Sequence, residues 1–241
     1  MSAHASSSGD AQLALAPAGG SLALPVLQDL DASRSRQINL ALKRGFDILT
    51  VVVLLPLLAP LLALLALAVR LDGGPVLYGH TRVGCNDRLF KCLKFRTMCV
   101  DADKMLAAHL AADPLAAAEW ARQRKLQDDP RISRIGAFLR KTSLDELPQL
   151  INVLRGEMSL VGPRPVVRDE LEEHYGLAGR IAYAAVRPGI TGLWQVSGRS
   201  DTSYRERVTL DITYGSSWSF LLDMKILVRT VPAVLLRRGA V

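Results

Sequence analysis

The polar and apolar positions divide the chain into three unequal parts. Residues 1 to about 36 mix small and polar side chains, with Ser6-Ser7-Ser8-Gly9 and Pro17-Ala18-Gly19-Gly20 ahead of a charged run from Asp29 to Arg36. No cationic start precedes an apolar stretch there, which is not a secretory-signal pattern, so a disordered tail over 1–40 is expected. From Val51 to Val69 every residue is Ala, Val, Leu or Pro, nineteen in succession, with Ile48 and Leu49 ahead of them. As a helix this run reaches roughly 28 Å, about the hydrocarbon thickness of a bilayer. It has no polar face, which favours a membrane-inserted segment, bounded at 41–72, over a buried core helix. Pro56 and Pro60 lie inside it, and each removes a backbone hydrogen bond and predicts a kink.

Beyond Asp72 the periodicities over 73–238 are those of a folded, water-facing domain. Gly73-Gly74-Pro75 marks a turn, and Val76-Leu77-Tyr78 and Phe90 to Phe95 read as short strands. Residues 101–126 are Ala-rich and helical, with a break before Pro114. Further helices are expected over 143–155, 203–214 and 217–236. The last sets Trp218, Phe220, Leu221, Met224, Ile226 and Leu227 beside Lys225 and Arg229, a pattern suited equally to a membrane surface and to packing on a core. The fold class is α/β but mostly helical: a membrane helix, then a small domain with short strands and amphipathic helices.

Charge changes this picture more than composition does. The chain is 49% hydrophobic and 22% charged, which excludes a mainly disordered protein. Its formal net charge of +7 calls for an anionic partner. Aromatic residues are only 5%, too few for the stacking platforms of single-strand nucleic-acid binders, so no nucleic-acid partner is expected. Cys85, Cys92 and Cys99 are odd in number and lack CxxC spacing, which argues for reduced thiols. Basic residues flank the apolar run on both sides: Arg34, Arg36, Lys43 and Arg44 before it, Arg70, Arg82, Arg88, Lys91, Lys94 and Arg96 after it. Basic flanks favour the cytoplasmic side, so a helix bent at Pro56 and Pro60 that enters and leaves by one leaflet fits better than a straight span.

Several motifs could carry chemistry. Ser143-Leu144-Asp145-Glu146 has the spacing of a capping box, in which Ser143 caps a helix and Glu146 reaches back to it. The same acidic pair at a helix N-terminus also suits a divalent cation beside phosphate. Free N–H groups there would keep Asp145 ionised, as a nucleophile must be. Gly162-Pro163-Arg164-Pro165 presents an arginine from a turn stiffened by two prolines, which suits bidentate phosphate recognition as well as a solvated turn. Arg187-Pro188-Gly189-Ile190-Thr191-Gly192, leading to Gln195 and Arg199, repeats the theme. Lys94-Phe95-Arg96-Thr97-Met98 sets two cations on one side of an extended segment.

Taken in order, Lys94-Phe95-Arg96-Thr97-Met98, Leu144-Asp145-Glu146-Leu147-Pro148-Gln149, Gly162-Pro163-Arg164-Pro165 and Arg187-Pro188-Gly189-Ile190-Thr191-Gly192 resemble the bacterial sugar transferase family. These are monotopic phosphoglycosyl transferases, and the likeness is greatest to the short exopolysaccharide enzymes of the succinoglycan type. It spans about Lys43 to Arg238. The resemblance implies transfer of a sugar-1-phosphate, galactose first and glucose second, from a UDP-sugar to undecaprenyl phosphate. It implies Asp145 as nucleophile, Glu146 with Asp145 as ligands of Mg²⁺, and Lys94, Arg96 and Arg164 as phosphate contacts. Arg187, Gln195 and Arg199 fall to the nucleotide or sugar. The implied place is the bacterial inner membrane with the catalytic domain facing the cytoplasm, and a homo-oligomer is left open. The family breaks its re-entrant helix at a Ser-Pro step; here the step is Ala59-Pro60, which leaves the kink to the prolines. The competing class is a non-catalytic membrane anchor whose basic face binds anionic lipid or a partner of polysaccharide assembly, and it would not need Asp145.

Overall fold

The structure, a computed structural model, describes residues 23–123, 126–198 and 202–235. The chain divides into two compact units, Met1–Leu40 and Ala41–Val241, and the second holds all of the strands. Helix α1 (Ala23–Leu71) is assigned as helix without a break, with Pro56 and Pro60 inside it. It therefore begins before residue 41, where the disordered tail was expected to end, while residues 1–22 lie outside the described part. Its stretch Gln37–Leu71 is long and apolar enough to cross a membrane, and only 11% of its most apolar window is buried. Leu49, Val52, Val53, Leu57, Leu64 and Leu67 are exposed along it. Such a surface suits hydrocarbon better than water.

The same helix is also part of the core. Val51 packs with Phe90, Leu150, Val153, Met158, Leu160 and Ile226, and Leu65 and Val69 pack with Phe95 and Leu139. Near its middle, ahead of the apolar run, Lys43 is buried with Asp223 of the C-terminal helix: Lys43 Nζ lies 2.5 Å from Asp223 Oδ2 and donates to Val161 O at 2.9 Å. Asp223 also accepts from the Tyr214 hydroxyl at 2.6 Å and from Trp218 Nε1 at 3.0 Å. Asp47 accepts from the Leu160 amide at 3.2 Å. Buried ions persist only when paired and hydrogen-bonded, and the Lys43–Asp223 pair meets both conditions.

After α1 the chain turns at Gly73 and Gly74 into a hairpin, β1 (Leu77–Val83) antiparallel to β2 (Leu89–Phe95). Its turn places Asn86 and Asp87 at positive φ, and Asp87 is held by Arg168 Nη1 at 2.6 and 2.7 Å. Helices α2 (Ala102–Ala112) and α3 (Pro114–Gln123) realise the expected break. Asp113 Oδ1 caps the Leu115 and Ala116 amides at 2.8 and 3.2 Å, with Pro114 at the first helical position. Next come α4 (Arg134–Thr142), a 3₁₀ turn Leu144–Glu146, α5 (Gln149–Arg155) and β3 (Ser159–Val161). Then follow α6 (Arg168–His174), α7 (Gly176–Ala184), β4 (Gly189–Thr191), α8 (Leu193–Val196), α9 (Tyr204–Ser217) and α10 (Phe220–Leu235).

Strands β3 and β4 pair in parallel, Ser159 with Gly189 and Val161 with Thr191. The two Pro-Gly motifs meet here backbone to backbone. A Cβ on Gly162 would collide with Arg187 O, and one on Gly189 or Gly192 would collide with Gly162. Both faces of α10 are used: Asp223 and Ile226 are buried, while Leu221 and Val228 are exposed beside Lys225.

Removing Lys43 tests the joint between α1 and α10. Lys43→Met leaves the Asp223 carboxylate buried without its cation, and should cost about 3–5 kcal/mol of stability. A lowered unfolding midpoint of the detergent-solubilised full chain, partly restored by a second change of Asp223→Asn, is the expected measurement.

Candidate active site

The hairpin register decides which side chains share a face. Tyr78 lies opposite Lys94, His80 opposite Cys92 and Arg82 opposite Phe90, so these six project to one side. Arg82, Cys92 and Lys94 of that side line a cleft with Glu146, Gln149, Arg164, Pro165, Gly189, Ile190 and Gln195. The cleft is predominantly polar and cationic.

The carboxylate pair sits on the 3₁₀ turn, not in a capping box. Ser143 is in the left-handed region (φ 57°, ψ 17°), where it closes α4, and its side chain makes no capping bond. Glu146 instead accepts from Lys94 Nζ at 2.6 Å, and Lys94 Nζ stands 3.5 Å from Asp145 Oδ2. The expected helix over 143–155 is accordingly split into the turn and α5. The S-x-x-E pattern does form a capping box elsewhere. Ser203 Oγ accepts from the Glu206 amide at 3.3 Å, and Glu206 accepts from the Ser203 amide at 2.8 Å.

Electrostatics at the pair also differ from expectation. Burial pushes the Asp145 carboxyl above the usual aspartate range, helped by Glu146 and opposed by Lys94 and Arg140. Burial thus works against its ionisation, and the neighbouring cations work for it. Burial disfavours the Lys94 ammonium, but Glu146 and Asp145 outweigh that and hold its pKa above the ordinary lysine value. Cys92, buried at the back of the same face, has its thiol pushed up to about 11 by burial, which leaves it a neutral packing residue.

Arg164 emerges from the proline turn as expected, and its backbone is held from below. Its amide donates to Asp211 Oδ1 at 3.3 Å, and its carbonyl lies 3.1 Å from the Tyr183 hydroxyl. The Tyr183 hydroxyl also lies 2.9 Å from Val83 O and accepts from the Val166 amide at 3.3 Å. Asp211 is 1% exposed and accepts from the Tyr175 hydroxyl at 2.9 Å. Burial raises its pKa to about 7. The Arg164 guanidinium lies over Trp194 at 5.4 Å, with Arg207 over the same ring at 5.0 Å.

The other cations do not all converge. Arg96 is no phosphate contact: its guanidinium donates to Pro75 O, Met98 O, Val69 O and Gly73 O, and it serves to tie α1 to the end of β2. Arg187 donates to Gly156 O at 2.9 Å, at the end of α5, and does not line the cleft. Gln195 does line it, and Arg199 lies outside the described residues. Two cations at the site carry no motif that would single them out in the sequence. One is Arg82; the other is Arg140, whose charge acts on Asp145 and whose Nε donates to Thr97 Oγ1 at 2.9 Å.

A second hollow borders the acidic turn on its other side. It is apolar, lined by Leu55, Leu62 and Ala66 of α1 with Val76, Phe95, Leu147, Pro148 and Ile151, and is an open hollow of about 780 Å³ including the solvent at its mouth. Glu146 therefore faces the polar cleft while the next two residues, Leu147 and Pro148, face the apolar one.

Residues 38–237 match the model of the family described as bacterial sugar transferase. The chain belongs to the bacterial sugar transferase family. The exopolysaccharide production protein ExoY of Sinorhizobium fredii is 52% identical over 199 residues, 82% of this chain and 87% of that protein. The UDP-galactose-lipid carrier transferase of Erwinia amylovora is 54% identical over 199 residues, 83% of this chain and 41% of that one. The undecaprenyl-phosphate galactose phosphotransferase of Salmonella typhimurium is 51% identical over 199 residues, again 83% of this chain and 41% of the relative. In this sugar transferase the matched region holds both hollows and the turn between them.

The role of Lys94 in ionising Asp145 is open to measurement. Because Lys94 lowers the Asp145 pKa, Lys94→Met should raise it further. Any activity that needs the Asp145 carboxylate would then be lost at higher pH as the solution is acidified. A pH–rate profile whose acid limb moves upward in the variant is the expected outcome; an unmoved limb would mean that Asp145 does not titrate there.

Proposed function

We propose that this chain transfers a sugar-1-phosphate from a UDP-sugar to undecaprenyl phosphate, opening the assembly of an exopolysaccharide repeat, with galactose the first donor to test and glucose the second. The observation that carries this reading is the position of the acidic turn between a cationic cleft and an apolar hollow bordered by the membrane helix. A soluble nucleotide diphosphate suits the first, and an isoprenoid tail suits the second. The named activities of the galactose-transferring relatives support the choice of sugar.

The reaction runs as two displacements at one phosphorus. An Asp145 oxygen attacks the β-phosphorus of the UDP-sugar, and the bond from that phosphorus to the bridging oxygen breaks, releasing UMP. A phosphate oxygen of undecaprenyl phosphate then attacks the same phosphorus, the bond to Asp145 breaks, and the carboxylate is regenerated. Lys94 keeps Asp145 anionic until attack, and Arg164, stacked over Trp194, presents its fork to the diphosphate. Gln195 stands at the wall of the same cleft, for the nucleotide or sugar.

The donor chemistry here fits Mg²⁺. Two adjacent carboxylates already attract a cation, Lys94, and no cluster of three or more His, Cys, Asp or Glu among the described residues offers a closed metal cage. Mg²⁺ commonly uses one or two carboxylates and takes its other ligands from phosphate and water. Glu146, with Asp145, would hold it, and when bound it neutralises the diphosphate charge. The basic flanks and the two prolines support a cytoplasmic catalytic domain in the inner membrane, with α1 entering and leaving by one leaflet.

Asp145→Asn tests the mechanism, since it keeps the side chain's size but removes the attacking anion. Turnover should fall to background with the unfolding midpoint little changed. The parent, given UDP-galactose and Mg²⁺ but no lipid acceptor, should release at most one UMP per protein and retain labelled sugar phosphate on Asp145. Full activity of Asp145→Asn, checked for deamidation, would sink the covalent route.

A further inference from the structure

The cleft contains a second guanidinium whose placement is not accounted for by packing. Arg82 stands on the same hairpin face as Lys94, and both line the cleft with Arg164. Lys94 is neutralised locally, by Glu146 at 2.6 Å and Asp145 at 3.5 Å. Arg82 and Arg164 are not neutralised in that way. No carboxylate among the described residues forms an ion pair with Arg164, and Arg82 has one long contact, Nη1 to Glu170 Oε2 at 3.8 Å. Glu170 in turn accepts from the Tyr204 hydroxyl at 2.7 Å, which divides its attention.

Holding two guanidiniums toward one hollow costs free energy. Burial and the charge of Arg164 both push the Arg82 pKa below the ordinary arginine value. The chain nevertheless fastens each one: Arg164 over Trp194 and on a turn anchored by Asp211 and Tyr183, Arg82 in a paired strand beside Glu170. Two planar forks converging on a cleft make a site for an anion with several oxygens, above all a phosphate group.

We propose that Arg82 and Arg164 together form a two-arginine clamp on the diphosphate of the nucleotide donor, with Glu170 orienting Arg82. The clamp rests on the nucleotide-sugar reading of the cleft and gives Arg82 a binding role that its sequence context does not suggest. Arg82 holds one phosphate through its fork, Arg164 holds the diphosphate from the opposite wall, and Lys94 remains with the carboxylates. Glu170 is a positioning residue: it touches Arg82 and not the ligand.

The test is equilibrium binding of UDP to the purified full chain in detergent, beside steady-state kinetics with UDP-galactose and undecaprenyl phosphate. Arg82→Gln should weaken UDP binding about tenfold or more and raise KM for the donor, while kcat falls much less. Arg82→Lys should recover only part of that loss, because the fork is gone. Glu170→Gln keeps the guanidinium but loosens its orientation, and should weaken UDP binding by about threefold, clearly less than Arg82→Gln. Unfolding midpoints taken on each variant separate lost binding from lost fold. Should Arg82→Gln misfold, the Arg82→Lys and Glu170→Gln pair decides the matter by the same comparison. Equal UDP affinity in parent and Arg82 variants overturns the clamp, as does an equal loss in Glu170→Gln and Arg82→Gln, which would mark a structural ion pair. In either case the transferase reading stands if the parent turns over and Asp145→Asn does not. A parent that neither binds UDP nor consumes UDP-sugars removes both.

Discussion

The buried Lys43–Asp223 pair is the joint on which the arrangement depends. It closes at 2.5 Å between a helix whose outer surface suits hydrocarbon and a helix of the water-facing domain. Lys43 also reaches Val161 O, the last residue before the Gly-Pro-Arg-Pro turn, and Tyr214 reaches both Val161 O and Asp223. One network therefore links α1, the strand that leads to Arg164, and the two C-terminal helices. An apolar contact would tolerate sliding along the helix. A buried charge does not, since moving either partner leaves an ion unpaired in a low-dielectric interior. The cleft is thereby held at a set place relative to α1.

From that joint the site is built by close backbone approach. Gly162, Gly189 and Gly192 have no room for a Cβ because the two Pro-Gly motifs cross directly on strands β3 and β4. Their glycines are thus a packing requirement, and the arginines beside them take different directions. Arg164 turns to the cleft, where Trp194 supports it, whereas Arg187 turns back to the end of α5. The acidic turn is held by similar economy: Ser143 at positive φ ends α4, and the reversal places Asp145 and Glu146 against Lys94 on β2. One side of that turn meets polar walls and the other meets leucine, proline and phenylalanine. A reaction that joins a charged donor to a lipid acceptor needs such a boundary.

Much of the fold was legible in the chain because its signals are local. Nineteen apolar residues with no polar face mark a helix long and apolar enough to cross a membrane, and Asp113-Pro114 breaks a helix by its own backbone chemistry. The hairpin strands, the C-terminal helices and the motifs around Asp145 and Arg164 were readable for the same reason, whereas the three-residue strands β3 and β4 and the short helices α4, α6 and α7 were not. The site was less so. Ser143-x-x-Glu146 and Ser203-x-x-Glu206 carry the same pattern, yet only the second forms a capping box, because the first serine ends a preceding helix and its glutamate has a lysine partner 52 residues away. Arg96 and Lys94 lie two residues apart, but the strand ends between them, and the carbonyls of the α1 turn absorb Arg96.

By itself the sequence determined the long apolar helix as a candidate membrane segment, the hairpin and the C-terminal helices, the excess of positive charge and the acidic pair as the candidate nucleophile site. Each depends on composition or spacing within one segment, where backbone geometry and solvent preference suffice. The tertiary structure alone decided which cations face the polar cleft and which only brace the fold. It also decided that burial and Glu146 oppose the ionisation of Asp145 while Lys94 and Arg140 favour it, and that an unmarked arginine, Arg82, stands with Arg164. Those outcomes follow from charge-to-charge distances between residues far apart in the chain. Such distances exist only after strands have paired and helices have packed.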